Sequence, residues 1–145
     1  MSNARYQSRS RPLNIPYMLT GITKCFNSLK PNVKIELKYP NRLFPFFNTF
    51  VSRNFTNNEG NFTINSNIPD DKRKSARLYF YHNCDASGGA RYPYAKLYSR
   101  YVKDSNCRWY GTIGGLRCDF GIINLENKCD EYKYQGNSGW QSCEN

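Results

Sequence analysis

Six cysteines in a polar chain of 145 residues constrain its fold more than any other feature. Their number is even, their spacing is wide and uneven, and no pair has the C-x-x-C spacing of a zinc or thioredoxin site. We therefore expect disulfides formed in an oxidising compartment, each contributing roughly 2–4 kcal/mol to stability. The sequence leaves every connectivity open among Cys25, Cys84, Cys107, Cys118, Cys129 and Cys143.

Other features of the sequence agree with secretion. Sequons of the form Asn-Phe-Thr begin at Asn54 and Asn61, although such triplets also arise by chance in Asn-rich chains. Residues 1–12 contain no apolar run, and no stretch of the chain is long enough to span a membrane. We expect an extracellular protein from which a signal peptide has been removed, with residues 1–4 as a cloning remnant.

The chain is strongly basic. Its 21 Lys and Arg outnumber its 11 Asp and Glu, so the formal net charge is +10 and the isoelectric point is near 9.4. A domain with this charge is attracted to anionic surfaces such as acidic lipid, glycosaminoglycan or nucleic acid. The alternative is that the charge serves only to keep the protein soluble.

Hydrophobic patterning indicates strands and almost no helix. Residues 33–39 alternate strictly between apolar and charged side chains, which is typical of a strand buried on one face. The apolar and aromatic run at 76–84 suits a central strand. Further strands are predicted at 19–26, 52–56, 60–65, 95–102 and 120–126, with a turn at 57–60 and at most one helical turn at 69–75. The pattern predicts an all-β, Ig-like sandwich or open barrel of seven to eight strands.

The length corresponds to one domain. We expect this domain over residues 19–134. It would be flanked by a basic N-terminal arm at residues 1–18 and by a loose tail rich in Asn, Gly and Ser at residues 135–145.

Five short motifs occur in order along the predicted strands. They are Gly21-x-x-x-Cys25, Pro31-x-Val33-x-Ile35-x-Leu37, Asn58-Glu59-Gly60-x-Phe62, Leu78-x-Phe80-Tyr81-His82-Asn83-Cys84, and Phe120-x-Ile122-Ile123-Asn124-Leu125-Glu126 followed by Cys129. In this order and spacing they resemble the nematode transthyretin-like family over residues 19–129. The resemblance implies secretion, a transthyretin-related β-sandwich, disulfides and no known catalysis. One branch of that family binds phosphatidylserine on dying cells and presents them to an engulfment receptor.

The chain departs from that family in three places. Asn83 stands between His82 and Cys84, where the family usually has an acidic residue. Residues 91–118 form a Tyr-rich insertion with two cysteines, and a C-terminal extension adds Trp140 and Cys143. A disulfide map is therefore not carried over from the family, and these segments are candidates for the specificity of this member.

Signals for catalysis and for metal binding are weak. His82 is the only histidine and has no Ser or Cys motif beside it, so a hydrogen-bonded structural role is favoured over catalysis. The transthyretin-related hydrolases of purine breakdown end in Tyr-Arg-Gly-Ser, whereas this chain ends in Ser-Cys-Glu-Asn. Asp70 and Asp71 lack the other ligands of a calcium loop. We expect no enzyme activity, no cofactor and no metal.

Binding is better supported, because the basic residues fall into three groups. The groups are Lys34, Lys38 and Arg42; then Lys72, Arg73, Lys74 and Arg77; and finally Lys96 and Arg100 on one face of a later strand. Near an anionic membrane each Lys or Arg is worth about 1 kcal/mol, so several together would bind acidic lipid without a deep pocket. For any single group the alternative is an ordinary solvated surface.

The aromatic segment at 43–47 allows two interpretations. Phe44, Phe46 and Phe47 lie between two arginines, so the segment could be a loop that enters a membrane interface or docks a partner. The alternative, that these rings belong to the core, is slightly favoured.

The residues and the resemblance together predict a secreted protein whose basic face binds anionic phospholipid, with phosphatidylserine as the leading ligand. By resemblance it would bridge apoptotic cells to the ectodomain of a phagocyte receptor. One alternative is an extracellular carrier of a small hydrophobic ligand, with a channel at a dimer or tetramer interface. Another is a polyanion binder that recognises heparan sulfate or nucleic acid. A homodimer is allowed, and nucleic acid is not the expected partner.

Overall fold

The computed structural model describes residues 14–41, 48–85, 94–110, 114–133 and 139–143. The strands in this part of the chain are β1 (Asn14–Cys25), β2 (Ser28–Leu29), β3 (Lys34–Pro40), β4 (Asn48–Phe55), β5 (Asn61–Pro69), β6 (Arg77–His82), β7 (Lys96–Tyr101), β8 (Cys107–Tyr110), β9 (Gly115–Asn124), β10 (Glu131–Tyr132) and β11 (Gln141–Ser142). Short 3₁₀ helices occupy Asp70–Ser75, at the predicted helical turn, and Asp104–Asn106. Among these described residues, no helix is long and apolar enough to cross a membrane.

The strands form two sheets that pack face to face. One sheet has five strands in the order β2-β1-β9-β8, with β5 also paired to β1. The other has six strands in the order β11-β10-β7-β6-β3-β4. β1 runs antiparallel to β5 and parallel to β9, so it lies in the middle of its sheet. The prediction of an all-β, transthyretin-like sandwich is confirmed, and the described strands do not close into a barrel.

Alternation along the strands decides which side chains form the core. Ile35 and Leu37 of β3 are fully buried and face the opposite sheet, as does Phe80 of β6, which lies opposite Ile35 in the register. Phe62 of the five-stranded sheet meets Phe80 edge to face, with ring centres 5.8 Å apart. Full burial of such a side chain stabilises a protein by about 1.5–3 kcal/mol. This layer therefore holds the two sheets together.

Three disulfides tie the sandwich together, as the cysteine count predicted. They are Cys25–Cys84, Cys107–Cys118 and Cys129–Cys143. The first joins the end of β1 in the five-stranded sheet to the segment that follows β6 in the six-stranded sheet. The second links neighbouring strands β8 and β9, and the third holds the residue after β11 close to the start of β10.

The two ends of the described chain are more regular than the sequence suggested. β1 starts at Asn14 and not at residue 19, and Ile15 and Tyr17 continue the inward alternation of Leu19. Pro16 hides this pattern, because proline is rare inside a strand. In the predicted loose tail, β11 pairs with β10.

The turn between β4 and β5 was predicted, but the paths of the two strands were not. The side chain of Asn57 accepts the N–H groups of Glu59 and Asn61, at 2.9 and 3.0 Å. Gly60 adopts φ +75°, and a Cβ there would lie 2.5 Å from the carbonyl oxygen of Thr23. However, β4 belongs to the six-stranded sheet and β5 to the five-stranded sheet. The turn therefore carries the chain from one sheet to the other.

Candidate functional site

Charged and aromatic side chains share the outer side of the six-stranded sheet. In β3, Lys34 and Lys38 point away from the core because the alternating residues Ile35 and Leu37 point into it. The register of β3 with β6 sets Tyr81 opposite Lys34 and Arg77 opposite Lys38, with Tyr79 between them. Side chains directly opposite each other in an antiparallel pair are within contact distance. The sheet therefore places cations beside aromatic rings.

Five cations on this side each lie over an aromatic ring. Lys34 Nζ is 4.4 Å from the ring centre of Tyr81 and 4.9 Å from that of Tyr94. Such contacts are worth about 0.5–1 kcal/mol at exposed sites. The other four are Lys38 over Tyr79, Arg53 over Phe50, Arg77 over Tyr101 and Lys133 over Trp140, at 4.9, 5.2, 4.5 and 5.3 Å. We call these five cations and their rings the cation–aromatic face.

A buried carboxylate lies among these cations. Glu36 is 5% exposed, and its Oε2 accepts hydrogen bonds from Arg53 Nε at 2.8 Å and Nη2 at 2.7 Å. Its Oε1 lies 3.3 Å from Lys38 Nζ. Burial alone would raise the pKa of Glu36, but hydrogen bonds from Arg53 and Tyr81 and the charge of Lys38 hold it below its ordinary value. Glu36 is therefore ionised and neutralises part of the surrounding charge.

The two lysines of β3 differ in their surroundings. Burial lowers the pKa of Lys34. The charge of Glu36 opposes this decrease, and the charge of Arg53 adds to it. Burial would also lower the pKa of Lys38, but the Tyr81 hydroxyl, 3.0 Å from its Nζ, and Glu36 hold that pKa above its ordinary value. In the described part of the chain Lys34 makes no ion pair. Its charge is available to an anion outside the protein.

The first predicted basic group lies partly on the cation–aromatic face. Lys34 and Lys38 belong to it, as the alternation of their strand predicts. Arg42 lies outside the described residues. The same holds for Phe44, Phe46 and Phe47, so the choice between a membrane loop and a core segment stays open.

The second predicted group is divided. Arg77 belongs to the cation–aromatic face, whereas Lys72, Arg73 and Lys74 lie in the 3₁₀ helix that connects β5 to β6. Arg73 turns toward the five-stranded sheet, where its Nε donates a hydrogen bond to the hydroxyl of Tyr17 at 2.9 Å. The densest basic run in the sequence is therefore not one patch.

The third predicted group lies on the other side of the six-stranded sheet. The register of β6 with β7 sets Lys96 opposite His82, on the side that faces the core. Arg100 shares this side, and its guanidinium lies 5.1 Å from the ring centre of Phe120 in the opposite sheet. The three groups do not form one basic face, because the structure unites only Lys34 and Lys38 of the first group with Arg77. Lipid binding by these residues stays a prediction.

Sequence reasoning missed two of the five cations of the cation–aromatic face, Arg53 and Lys133, and named Trp140 only as part of the C-terminal extension. Arg53 lies within a predicted strand, but it comes opposite Glu36 only because β4 pairs with β3. Lys133 and Trp140 flank β10 and β11, two-residue strands that are too short to show a periodic pattern. Alternation could have placed Arg53 on a strand face, whereas no local signal places Lys133 or Trp140 beside β3 and β6.

His82 has the contacts of the hydrogen-bonded structural histidine that the sequence favoured. It is 1% exposed; its Nε2–H donates to the carbonyl of Lys128 at 2.8 Å, and its Nδ1 accepts the N–H of Cys84 at 3.0 Å. Burial lowers the pKa of His82 to about 4, so the ring is neutral at physiological pH. Among the residues that the structure describes, no three His, Cys, Asp or Glu side chains cluster as a metal site requires.

Comparison with known proteins gives one family match. The sequence model of the transthyretin-like family matches residues 20–97, more than half of the chain. No curated protein matches. Among solved structures, a 9R-lipoxygenase from Cyanothece PCC8801 is 12% identical, with a TM-score of 0.42, over 94% of this chain and 21% of that one. The shaft pilin spaA from Lactobacillus rhamnosus GG is 9% identical, with a TM-score of 0.36, over 77% of this chain and 52% of that one. TM-scores this low support no conclusion about fold or function.

Proposed function

The chain belongs to the transthyretin-like family, and from this premise we propose that it is an extracellular protein that binds anionic phospholipid, with phosphatidylserine as the leading ligand. Family membership supports the general role of a transthyretin-like binding protein. The three disulfides are consistent with an extracellular location. We assign lipid binding to the cation–aromatic face.

The charge of the cation–aromatic face carries this proposal. Among the described residues, the ion pairs of its five cations all end on Glu36, so the cations exceed their ion-paired carboxylates by four charges. Each basic residue near an anionic membrane is worth about 1 kcal/mol. Four such charges correspond to roughly three decades of preference for acidic over neutral lipid.

The aromatic rings of the same face support a membrane surface as the ligand. Phe50 and Tyr101 are 50% and 46% exposed. Tyr and Trp favour the headgroup level of a membrane, and Lys and Arg can lay their stems on apolar surface while the charged ends stay in water. A face with both kinds of side chain can rest on lipid headgroups without a deep pocket.

Liposome co-sedimentation at physiological salt tests the proposal. The vesicles contain neutral phosphatidylcholine alone, or phosphatidylcholine with equal charge from phosphatidylserine or phosphatidylglycerol. We expect the protein to sediment only with the acidic vesicles. Preference for phosphatidylserine supports a shaped headgroup site, whereas equal binding to both acidic lipids indicates a charged patch that could equally serve a polyanion. Failure to bind either acidic vesicle overturns the proposal.

A double variant tests the assigned surface. Lys34 and Lys133 make no ion pair among the described residues, so Lys34→Gln with Lys133→Gln leaves no carboxylate stranded. Two charges at about 1 kcal/mol each predict an affinity loss of about 30-fold. The matched control, Lys72→Gln with Lys74→Gln, removes two charges from the 3₁₀ helix and should bind as the wild type. The reverse ranking would move the lipid site to that helix.

The family resemblance extends the proposal to bridging between apoptotic cells and a phagocyte receptor. A bridging protein must keep a second surface open while lipid is bound. Beads coated with phosphatidylserine and preincubated with the protein should be taken up by phagocytes more often than untreated beads. The Lys34→Gln, Lys133→Gln variant should lose this effect. If the wild type binds the beads and uptake does not rise, lipid binding stands and bridging is refuted.

A further inference from the structure

A cleft on the outer side of the five-stranded sheet lies apart from the cation–aromatic face. Its volume is about 410 Å³, within the range of roughly 300–1,000 Å³ found for small-molecule sites. Because β1 runs between β5 and β9, Pro16 and Met18 form the floor of the cleft. Asn65 of β5 lines one side, and Tyr110 and Arg117 line the other. Met18 is 37% exposed and offers an apolar surface.

Arg117 of β9 lines one side of this cleft, and Arg108 of β8 lies beside Arg117. Arg108 lies directly opposite Arg117 in the antiparallel register, so both side chains leave the sheet on the same side, with Cβ atoms about 4.5–5.5 Å apart. Arg117 Nη1 donates a hydrogen bond to the Tyr110 hydroxyl at 2.7 Å. Like charges directly opposite each other destabilise a sheet. An anion between the two guanidinium groups would remove this repulsion.

The protein supplies no such anion within its described residues. Neither Arg108 nor Arg117 pairs with a carboxylate there, and no Asp or Glu lines the cleft. Asp119 lies two residues along β9 from Arg117, and its carboxylate accepts the N–H of Gly121 at 2.9 Å. The positive charge beside the cleft is therefore open to a ligand.

We propose that this cleft binds a single-chain anionic lipid. The headgroup, a carboxylate or a phosphate, lies between Arg108 and Arg117, because guanidinium groups donate paired hydrogen bonds to both kinds of anion. The chain lies over Pro16 and Met18, since the flexible Met side chain adapts to an alkyl chain. This inference goes beyond the proposed function, because the site is on the other sheet and holds one lipid molecule and not a membrane surface.

Calorimetric titration of the full chain with decanoate, decyl phosphate, decanol and acetate separates the contributions of headgroup and chain. We expect both decyl anions to bind at least tenfold more tightly than decanol or acetate, since only they engage both parts of the cleft. Hexanoate lacks four methylenes of decanoate and should bind roughly tenfold more weakly if those groups are half buried. The tighter of the two decyl anions distinguishes a free fatty acid from a single-chain phospholipid as the natural source. Equal binding of decanoate and decanol, or no binding of either anion, overturns the proposal.

Variants locate the ligand. Arg108→Gln with Arg117→Gln should weaken decanoate and decyl phosphate at least 30-fold and leave decanol unchanged, because only the headgroup contacts are lost. Met18→Asn should weaken all three decyl probes. The Lys34→Gln, Lys133→Gln variant should bind decanoate as the wild type does, so a failure of membrane binding and a failure of this cleft are distinguishable. Unchanged decanoate affinity in the double arginine variant refutes the site.

Discussion

Lowering the pH from 7 to 5 is expected to reduce the free energy of unfolding by about 2 kcal/mol through a single side chain, His82. Its pKa is about 4 in the folded protein, chiefly because of burial, against about 6.5 in an unfolded chain. The nearby charges of Lys96 and Lys30 lower the pKa further, whereas the hydrogen bond to the Lys128 carbonyl and the charge of Asp85 oppose this effect. The unfolded chain therefore binds the proton more readily at every pH between these two values.

The sign and the size of the effect follow from that difference. The contribution of neutral His82 is essentially complete above pH 6.5 and is lost as the pH falls toward 4, where the loss reaches about 3 kcal/mol. The hydrogen bonds of His82 explain why its protonation destabilises the folded protein. A proton on Nδ1 would face the N–H of Cys84, which now donates to that nitrogen at 3.0 Å. Protonation thus replaces an accepted hydrogen bond by two opposed donors in a buried site.

Urea unfolding at pH 7, 6 and 5, followed by tryptophan fluorescence, measures this loss. His82 is the only histidine, and unperturbed carboxyl groups titrate at lower pH, so the interval from 7 to 5 reports mainly on this ring. The variant His82→Gln should be less stable than the wild type at pH 7 but should lose much less stability by pH 5. A wild type whose unfolding free energy stays constant between pH 7 and 5, or a variant with the same slope, would refute the reasoning.

Two further predictions concern interactions within and between the sheets. Glu36→Gln should lower the free energy of unfolding in urea by about 2 kcal/mol, between the values for exposed and buried ion pairs, because half-exposed Arg53 loses its carboxylate. The control Glu59→Gln removes the same charge at an exposed position and should change the free energy of unfolding by less than about 0.5 kcal/mol. Equal losses of unfolding free energy in the two variants would contradict a structural role for Glu36. Replacing Cys25 and Cys84 by Ser should cost about 4 kcal/mol in thermal unfolding, because a 59-residue separation is closed. Removing the disulfide between β8 and β9 should cost about 1.5 kcal/mol less, because its sequence separation is only 11, and the reverse order would contradict the loop-closure argument.

The sandwich was largely predictable because its strongest signals are local. Strict alternation at 33–39 and the apolar run at 76–84 correspond to β3 and β6, two of the inner strands of the six-stranded sheet. The cysteine count predicted disulfides, but the partner of Cys25 could not be read from spacing. That pairing depends on the long-range assembly that brings the end of β1 beside the end of β6.

The candidate site was less predictable. Alternation shows which side chains share one face of a strand, but it does not show which face points into the core. In β7 both sets of alternating residues contain an aromatic ring, and the cations Lys96 and Arg100 belong to the inward set. Only the register with β6 determines which of the two sets faces the core. A shift of one residue would have turned both cations outward. In β3 the inward set is purely aliphatic at Ile35 and Leu37, so the outward direction of Lys34 was readable from the sequence alone.

A net charge of +10 is thus divided between surfaces with different chemistry. On the cation–aromatic face the charges are spread over rings around Glu36, an arrangement suited to many weak contacts with a broad anionic surface. Beside the cleft, Arg108 and Arg117 are concentrated at a small apolar hollow, which suits one anion with one chain. Salt should screen the first kind of contact steadily, because this contact would be mainly electrostatic and exposed. The second kind would keep the share of its affinity that comes from chain burial, so raising the salt concentration should separate the two proposed activities within one protein.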